Sequence, residues 1–392
     1  MANKQLAYIN KQMLKWARSE TPFDSIYDVA LRIQQFTYEK ILAWENGDEL
    51  PSIAEAKKLA NLYDVPFACL FYTKIPDKKP KPYTDRRTMI NNNYGKISYE
   101  LWKEIRRIIS NREIAVEAAP EFISKFEKLP QVQPGDDVKT VATKIRTFLN
   151  FSTPFKYKSK YNDSAFNYFR SIFERKGIMV AQISGVSVSE IKGLSFYYNA
   201  MPIIATNTTD WERAKVFTLF HEMVHLLRRS SSLCLIDFDE RNDSEEKLCD
   251  KIAAEALLPE LQFREIASSI KKEYKSWENE CLIKIADKFA VSTTVVLRRL
   301  YELKIIEYDY YVKRYAELAN DFAVKRALLE KSRKMSVPIK YHYKYLNQQG
   351  YLFPKTMLAA YATGNISYGE MCRSLNIDSS HINNVEQVVM FK

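Results

Sequence analysis

VFTLFHEMVHLL, residues 216–227, is the stretch on which the reading of this chain turns. Its apolar positions recur at helical spacing, so the run reads as one helix. On a helix, positions i and i+4 share a face, with Cβ atoms about 5–6 Å apart. His221 and His225 are placed in this way and can grip one metal ion. Glu222, one residue along, projects beside that ion, where it can take a proton from a bound water. The chain holds four histidines and two of them fall here. That weakens the bland alternative, a buried helix with two hydrogen-bonded histidines.

A metal held by two histidines needs a third protein ligand and, for catalysis, one open position. EEKLCDKIAAEALLP, residues 245–259, reads as the helix that brings it. Leu248, Ile252, Ala256 and Leu257 recur every three to four residues, and Pro259 marks the end. Glu246 and Asp250 are four apart and share a face. Glu246 reads as the third ligand, Glu245 as the fallback, and Glu255, two turns further along, as the weaker choice. Asp250 would accept the second ring N–H of a metal-bound histidine, His221 in the first instance, as bound imidazoles generally require. Cys249 points away from the Glu246 and Asp250 face and reads as a buried structural thiol.

These residues carry a resemblance. Arg213, the run FTLFHEMVHLL at 217–227, Glu246, Asp250 and AAEALLP at 253–259 are similar to the ImmA/IrrE family of zinc metallopeptidases. GLSF at 193–196 and PIIATN at 202–207 resemble the strands that precede the metal helix in that family. The resemblance implies a zinc cofactor with His221, His225 and Glu246 as ligands and Glu222 as the catalytic glutamate. It also implies a protein substrate, often a repressor with a helix-turn-helix, whose cleavage relieves repression of a stress response, phage or mobile element. Members commonly have a small residue before the second histidine; here Val224 stands there, with bulk that would tighten the packing.

A chain of 392 residues, 46% hydrophobic and 27% charged, is expected to be soluble and to form two or more domains. Its five cysteines are scattered, which argues against a disulfide framework and fits a reducing cytoplasm. No signal core and no apolar run of membrane-spanning length is visible, so no membrane partner is expected. With nine glycines and no Gly-rich phosphate loop, a nucleotide cofactor is not expected either. The net charge of +11 permits nucleic-acid contact without demanding it.

A second pattern lies near the N-terminus. SIYDVALRI (25–33) and TYEKILAWE (37–45) read as two short helices around a polar break, the second stopped at Asn46 and Gly47. Ser52 and Glu55 open a third. Trp44 reads as core. WENG (44–47), LPS (50–52), KLA (58–60) and YDVPFACLFY (63–72) resemble the XRE (Cro/phage repressor-like) DNA-binding family, and DRRT at 85–88 resembles the form fused to ImmA/IrrE peptidases. The resemblance implies double-stranded DNA as a partner, with Thr37, Tyr38, Lys40 and Ala43 near base edges. The turn at 34–36 is about one residue longer than the usual one and lacks its glycine. The alternative is a helical module that keeps the fold and binds protein.

DKKPKPY (77–83) reads as a linker. Helical stripes follow: Leu101, Ile105, Ile108 and Ile109; Val138, Val141, Ile145 and Leu149; and the aromatic set Phe166, Tyr168, Phe169 and Phe173. GIMVAQI (177–183) reads as a strand, joined by two more near Phe196 and Ile203 into a small sheet ahead of the metal helix. In zincin-type peptidases an edge strand of such a sheet binds extended peptide through its main chain; which strand is the edge is not legible. Residues 283–300 could pass for another helix-turn-helix, but the resemblance places them in the peptidase module. Residues 306–392 resemble the helical tail of the fused members. His342 and His381 lack ligand spacing.

The expected fold is α+β and predominantly helical. It comprises a helix-turn-helix domain (1–76), a linker and helical connector (77–176), a zincin-like peptidase core (177–305) and a C-terminal helical region (306–392). The expected function is a cytoplasmic zinc-dependent endopeptidase. The alternative is a DNA-binding regulator or antitoxin whose peptidase fold serves as sensor or scaffold.

Overall fold

A computed structural model of the chain describes residues 5–76, 97–133, 135–154, 164–229, 232–235, 244–274, 276–333 and 340–390. The linker at 77–83 and the DRRT segment at 85–88 lie outside the described residues. The chain divides into two compact units, residues 1–81 with 85–107, and residues 82–84 with 108–392.

The first unit begins with α1 (Lys11–Ser19), α2 (Ile26–Ile33), α3 (Tyr38–Asn46) and α4 (Ile53–Leu62), followed by a short 3-10 helix, Phe67–Phe71. Its helices start where their caps dictate. Ser25 with Asp28, and Ser52 with Glu55, form reciprocal capping boxes, and the Thr37 side chain caps α3. Gly47 closes α3 at φ 80. Gln34 closes α2 at φ 55, a left-handed conformation that costs a non-glycine residue about 1–2 kcal/mol. Leu14, Val29, Ile41, Trp44, Leu59 and Leu70 share one core, with Trp44 edge-on to Phe36 at 5.0 Å.

Next in the chain come α5 (Tyr99–Ala118), which runs across the boundary in sequence, α6 (Pro120–Ile123), α7 (Val138–Leu149) and α8 (Ala165–Arg175). Phe166, Phe169 and Phe173 of α8 are buried, whereas Tyr168 is exposed. Tyr168 is two residues from Phe166, so it lies on the opposite side of the helix from the stripe to which the sequence assigned it.

Among the described residues the sheet has four strands, β1 (Met179–Ile183), β2 (Ile191–Phe196), β3 (Ile203–Asn207) and β4 (Ser232–Leu235), in the order β1-β3-β2-β4. β1 and β3 are parallel, with Met179 opposite Ile203; β2 runs antiparallel to β3, with Leu194 opposite Ala205, and to β4. Three strands were expected. The fourth follows the helix Glu212–Leu227 and, at four residues, is too short to show a period.

α9 (Glu212–Leu227) lies against β2, β3 and α8, with α10 (Ser244–Leu257) beside it. Val216, Leu219, Phe220, Met223, Val224 and Leu226 are buried in one core, so α9 is apolar nearly all round, as a central helix should be. Val224 spends its bulk there. α11 (Glu260–Lys271), α12 (Asn279–Phe289), α13 (Thr293–Glu302) and α14 (Tyr308–Arg333) follow. The chain ends in α15 (Tyr341–Gln349), α16 (Leu352–Ala362), α17 (Tyr368–Leu375) and α18 (Ser379–Met390).

α15 packs on β1, where Gln182 donates to the Asn347 carbonyl at 2.8 Å. Gly350 (φ 83) passes so near β1 that a Cβ would lie 2.5 Å from the Val180 oxygen. Glu174 of α8 accepts the N–H groups of Tyr351 and Leu352 at the start of α16. No helix among the described residues is long and apolar enough to cross a membrane.

Candidate metal centre

Two turns of α9 and the first turns of α10 build the site. The Nε2 atoms of His221 and His225 are 3.2 Å apart. Glu246 brings Oε2 to 3.0 Å from His221 Nε2 and Oε1 to 3.5 Å from His225 Nε2. A proton on one Nε2 can serve only one of these contacts at a time; a single cation between the three donors satisfies all of them. The spacing suits one. A tetrahedral ion bound at 2.0–2.1 Å sets its ligand atoms about 3.3 Å apart, and the observed separations bracket that value. Among the described residues, His221, His225 and Glu246 form the cluster able to hold a metal. His225 is fully buried, while the Glu246 side chain is 39% exposed, so the approach from solvent is on the Glu246 side.

His221 is aimed by a neighbour. Asp250 Oδ1 lies 3.0 Å from His221 Nδ1, which places the ring proton on Nδ1 and turns the Nε2 lone pair toward the cluster. The other Asp250 oxygen accepts Arg298 Nη1–H at 2.9 Å. Burial pulls the Asp250 carboxyl upward, but the hydrogen bond from His221 and the positive Arg298 guanidinium outweigh it and hold the group below its ordinary value. Glu246 behaves alike: burial opposes ionisation, and the two histidines more than offset it.

Glu222 is fully buried beside the cluster. Its carboxylate rests against β2 at Gly193, where a Cβ would fall 3.1 Å from Glu222 Oε1, 3.1 Å from the Ala205 oxygen and 2.4 Å from Thr218 Cγ2. Only glycine leaves that room.

The remaining sequence candidates have other partners. Glu245 faces Arg228 at 3.4 Å and stands outside the cluster. Glu255 pairs with Arg299 and accepts the Glu260 N–H at 3.1 Å. Cys249 is buried in the core. In the first unit, Thr37 caps α3 and Tyr38 is exposed. Lys40 pairs with Glu55 at 2.7 Å and sits over the rings of Phe36 and Trp44. His381 stacks on Tyr341 with ring centroids 4.5 Å apart. Nothing in the sequence marks Arg298 or Arg228, and Gly193 reads there only as part of a strand. For Gly193 a signal existed, a glycine inside a strand, which often marks a close approach.

Residues 173–301, about a third of the chain, match a peptidase family model described as the IrrE N-terminal-like domain. The matched segment runs from the end of α8 through the sheet, α9 and α10 to α13, and so contains every residue of the cluster and its supports. No curated protein and no solved structure matches the chain.

Proposed function

We propose that the second unit is a zinc-dependent endopeptidase acting on a protein substrate such as a transcriptional repressor. The observation that carries this reading is the convergence of His221, His225 and Glu246, at near-tetrahedral spacing, beside the buried Glu222. Zinc held there would supply hydroxide at neutral pH by lowering the pKa of its water to about 7, and would polarise the scissile carbonyl. Glu222 takes the water's proton on its carboxylate and passes it to the departing amine, as base and then as acid. Asp250 keeps His221 in one tautomer, and Gly193 gives Glu222 its place against β2. α15 covers β1, so β4 is the sheet's other outer strand and the one along which an extended peptide can pair by its main chain. The free thiols of Cys69, Cys249, Cys281 and Cys372 support a reducing cytoplasm.

For the first unit, one observation favours a protein over DNA as the partner. Its helical part, residues 1–76, holds nine Lys and Arg against nine Asp and Glu, a net charge of zero, and the unit's excess of five positive charges lies in residues 77–81 and 85–107. Several of those cations are engaged within the unit: Arg18 with Glu45, Lys40 with Glu55, Lys11 with the Asn46 carbonyl and Lys58 with Gln35. Affinity for duplex DNA comes largely from cations placed on phosphates. This unit therefore reads as a docking module for the peptidase, with sequence-specific DNA binding as the alternative.

Elemental analysis of zinc in the wild type and in Glu246→Ala tests the centre. Near-stoichiometric metal that drops in the variant is expected. A wild type purified without chelator and free of zinc would overturn the reading.

A further inference from the structure

α13 reaches the metal helix pair from 48 residues downstream of Asp250. Arg298 extends Nη1 to Asp250 Oδ2 at 2.9 Å, while its own Nε–H is fixed by Glu302 Oε1 at 3.0 Å, one turn along the same helix. Asp250 thus has both oxygens committed, one to His221 and one to Arg298. The neighbouring Arg299 grips the far end of the same helix. It donates Nε–H to the Leu258 carbonyl at 3.2 Å and pairs with Glu255. Two adjacent arginines on α13 therefore hold α10 at Asp250 and at its C-terminal end, Glu255 and Leu258, and the first of those points is the carboxylate that aims a histidine.

We infer that Arg298 is a positioning residue for the metal centre, acting through Asp250 to fix the direction of His221 Nε2, and that α13 serves as the clamp of the ligand helix. This rests on the zinc reading above. A carboxylate with one oxygen on an imidazole N–H can swing about that bond; a planar guanidinium on the other oxygen, itself tied to Glu302, removes the swing. Outer-shell partners of ligating histidines typically contribute 10–100-fold in metal affinity, and a group one bond further out is expected to contribute less.

The test is the zinc affinity of the full chain, measured by competition with a chromophoric chelator, in a double-mutant cycle. Asp250→Ala should weaken zinc about 10–100-fold. Arg298→Ala should weaken it about 5-fold in the wild-type background and less than about 2-fold in the Asp250→Ala background, because its route to the metal is gone. Arg298→Lys, which can reach Asp250 but cannot bridge to Glu302, should fall between. If Arg298→Ala does not fold, Arg298→Lys and Glu302→Gln run the same cycle. Equal losses in both backgrounds would mean that the arginine acts on general stability and overturn the inference. So would zinc bound by Arg298→Ala as tightly as by the wild type. A wild type that binds no zinc would instead remove the metal reading itself.

Discussion

The α2/α3 pair of the first unit and the α9/α10 pair of the second present polar residues at helical spacing from short, well-capped or well-buried helices. They differ in what those residues meet. Lys40, placed where a DNA-reading helix would offer a cation, meets Glu55 at 2.7 Å and two aromatic rings. His221 and His225 meet one another, nitrogen to nitrogen, at 3.2 Å. A lysine beside a glutamate is complete. Two imidazole nitrogens and a carboxylate gathered around one point have the spacing of ligands to a single cation. The contrast shows that a motif's residues point to a ligand when the fold gathers several of them at one place instead of matching each to an opposite charge.

The contrast can be broken most sharply at Glu222. Glu222→Gln should retain zinc and lose cleavage of a repressor substrate by about 10²–10⁴-fold, the usual worth of a proton-transfer group. Retained cleavage would leave the second unit without its proposed base.

A core cut in the other unit should do the reverse. Trp44→Ala empties a site that is 2% exposed and should destabilise the first unit by about 3–5 kcal/mol. Thermal melts should register that loss, with zinc content unchanged. Zinc lost in parallel would tie the two regions together.

Two carboxylates sharpen the comparison through pH. Burial opposes ionisation of Glu55, but Lys40 and the Ser52 amide and hydroxyl outweigh it and hold the carboxyl down to about 2. Its contribution is present above the unfolded value and lost as pH falls through the folded one, so the first unit should weaken between about pH 4.5 and pH 2. In the second unit burial pushes Glu174 up to about 7, although Arg170 and the amides of Leu352 and Tyr351 pull the other way. Here the folded state binds the proton more tightly, and stability should fall as pH rises from about 4.5 to 7. Glu174→Gln keeps an acceptor for those amides and should flatten that slope in melts taken across the range. A slope that survives would assign it to another group.

The smallest effect should be on DNA. Anisotropy with a random duplex at low salt should show little binding by residues 1–76 in the context of the full chain, and Lys40→Ala should leave the signal unchanged. A Lys40-dependent, salt-sensitive affinity would restore the α2/α3 pair as a DNA reader.

The helices of the site were legible because α9 and α10 announce themselves by period, and because i,i+4 spacing fixes which side chains share a face. Glu246 was read as the third ligand with Glu245 as the fallback, because neighbours about 100° apart on a helix are separated fully only by the packing partner. Arg228 takes Glu245, and the packing of α10 on α9 leaves Glu246 with the histidines. Arg298 was out of reach because nothing local marks an arginine whose partner lies 48 residues upstream. The first unit was read down to its Ser52 cap and Gly47 stop, yet Lys40 was placed near DNA base edges by resemblance alone, because its pairing with Glu55 exists only once α3 and α4 are folded together.

β1 is buried along all five residues and carries Met179, Val180, Ala181 and Ile183. A strand of that composition with a bare edge is a template for other chains. α15 lies along it, and the turn at Gly350 is pinned by Glu174, so the edge becomes an internal seam. The C-terminal helices therefore guard solubility as well as completing the fold: a chain cut before α15 would keep His221, His225 and Glu246 and expose an edge prone to aggregation.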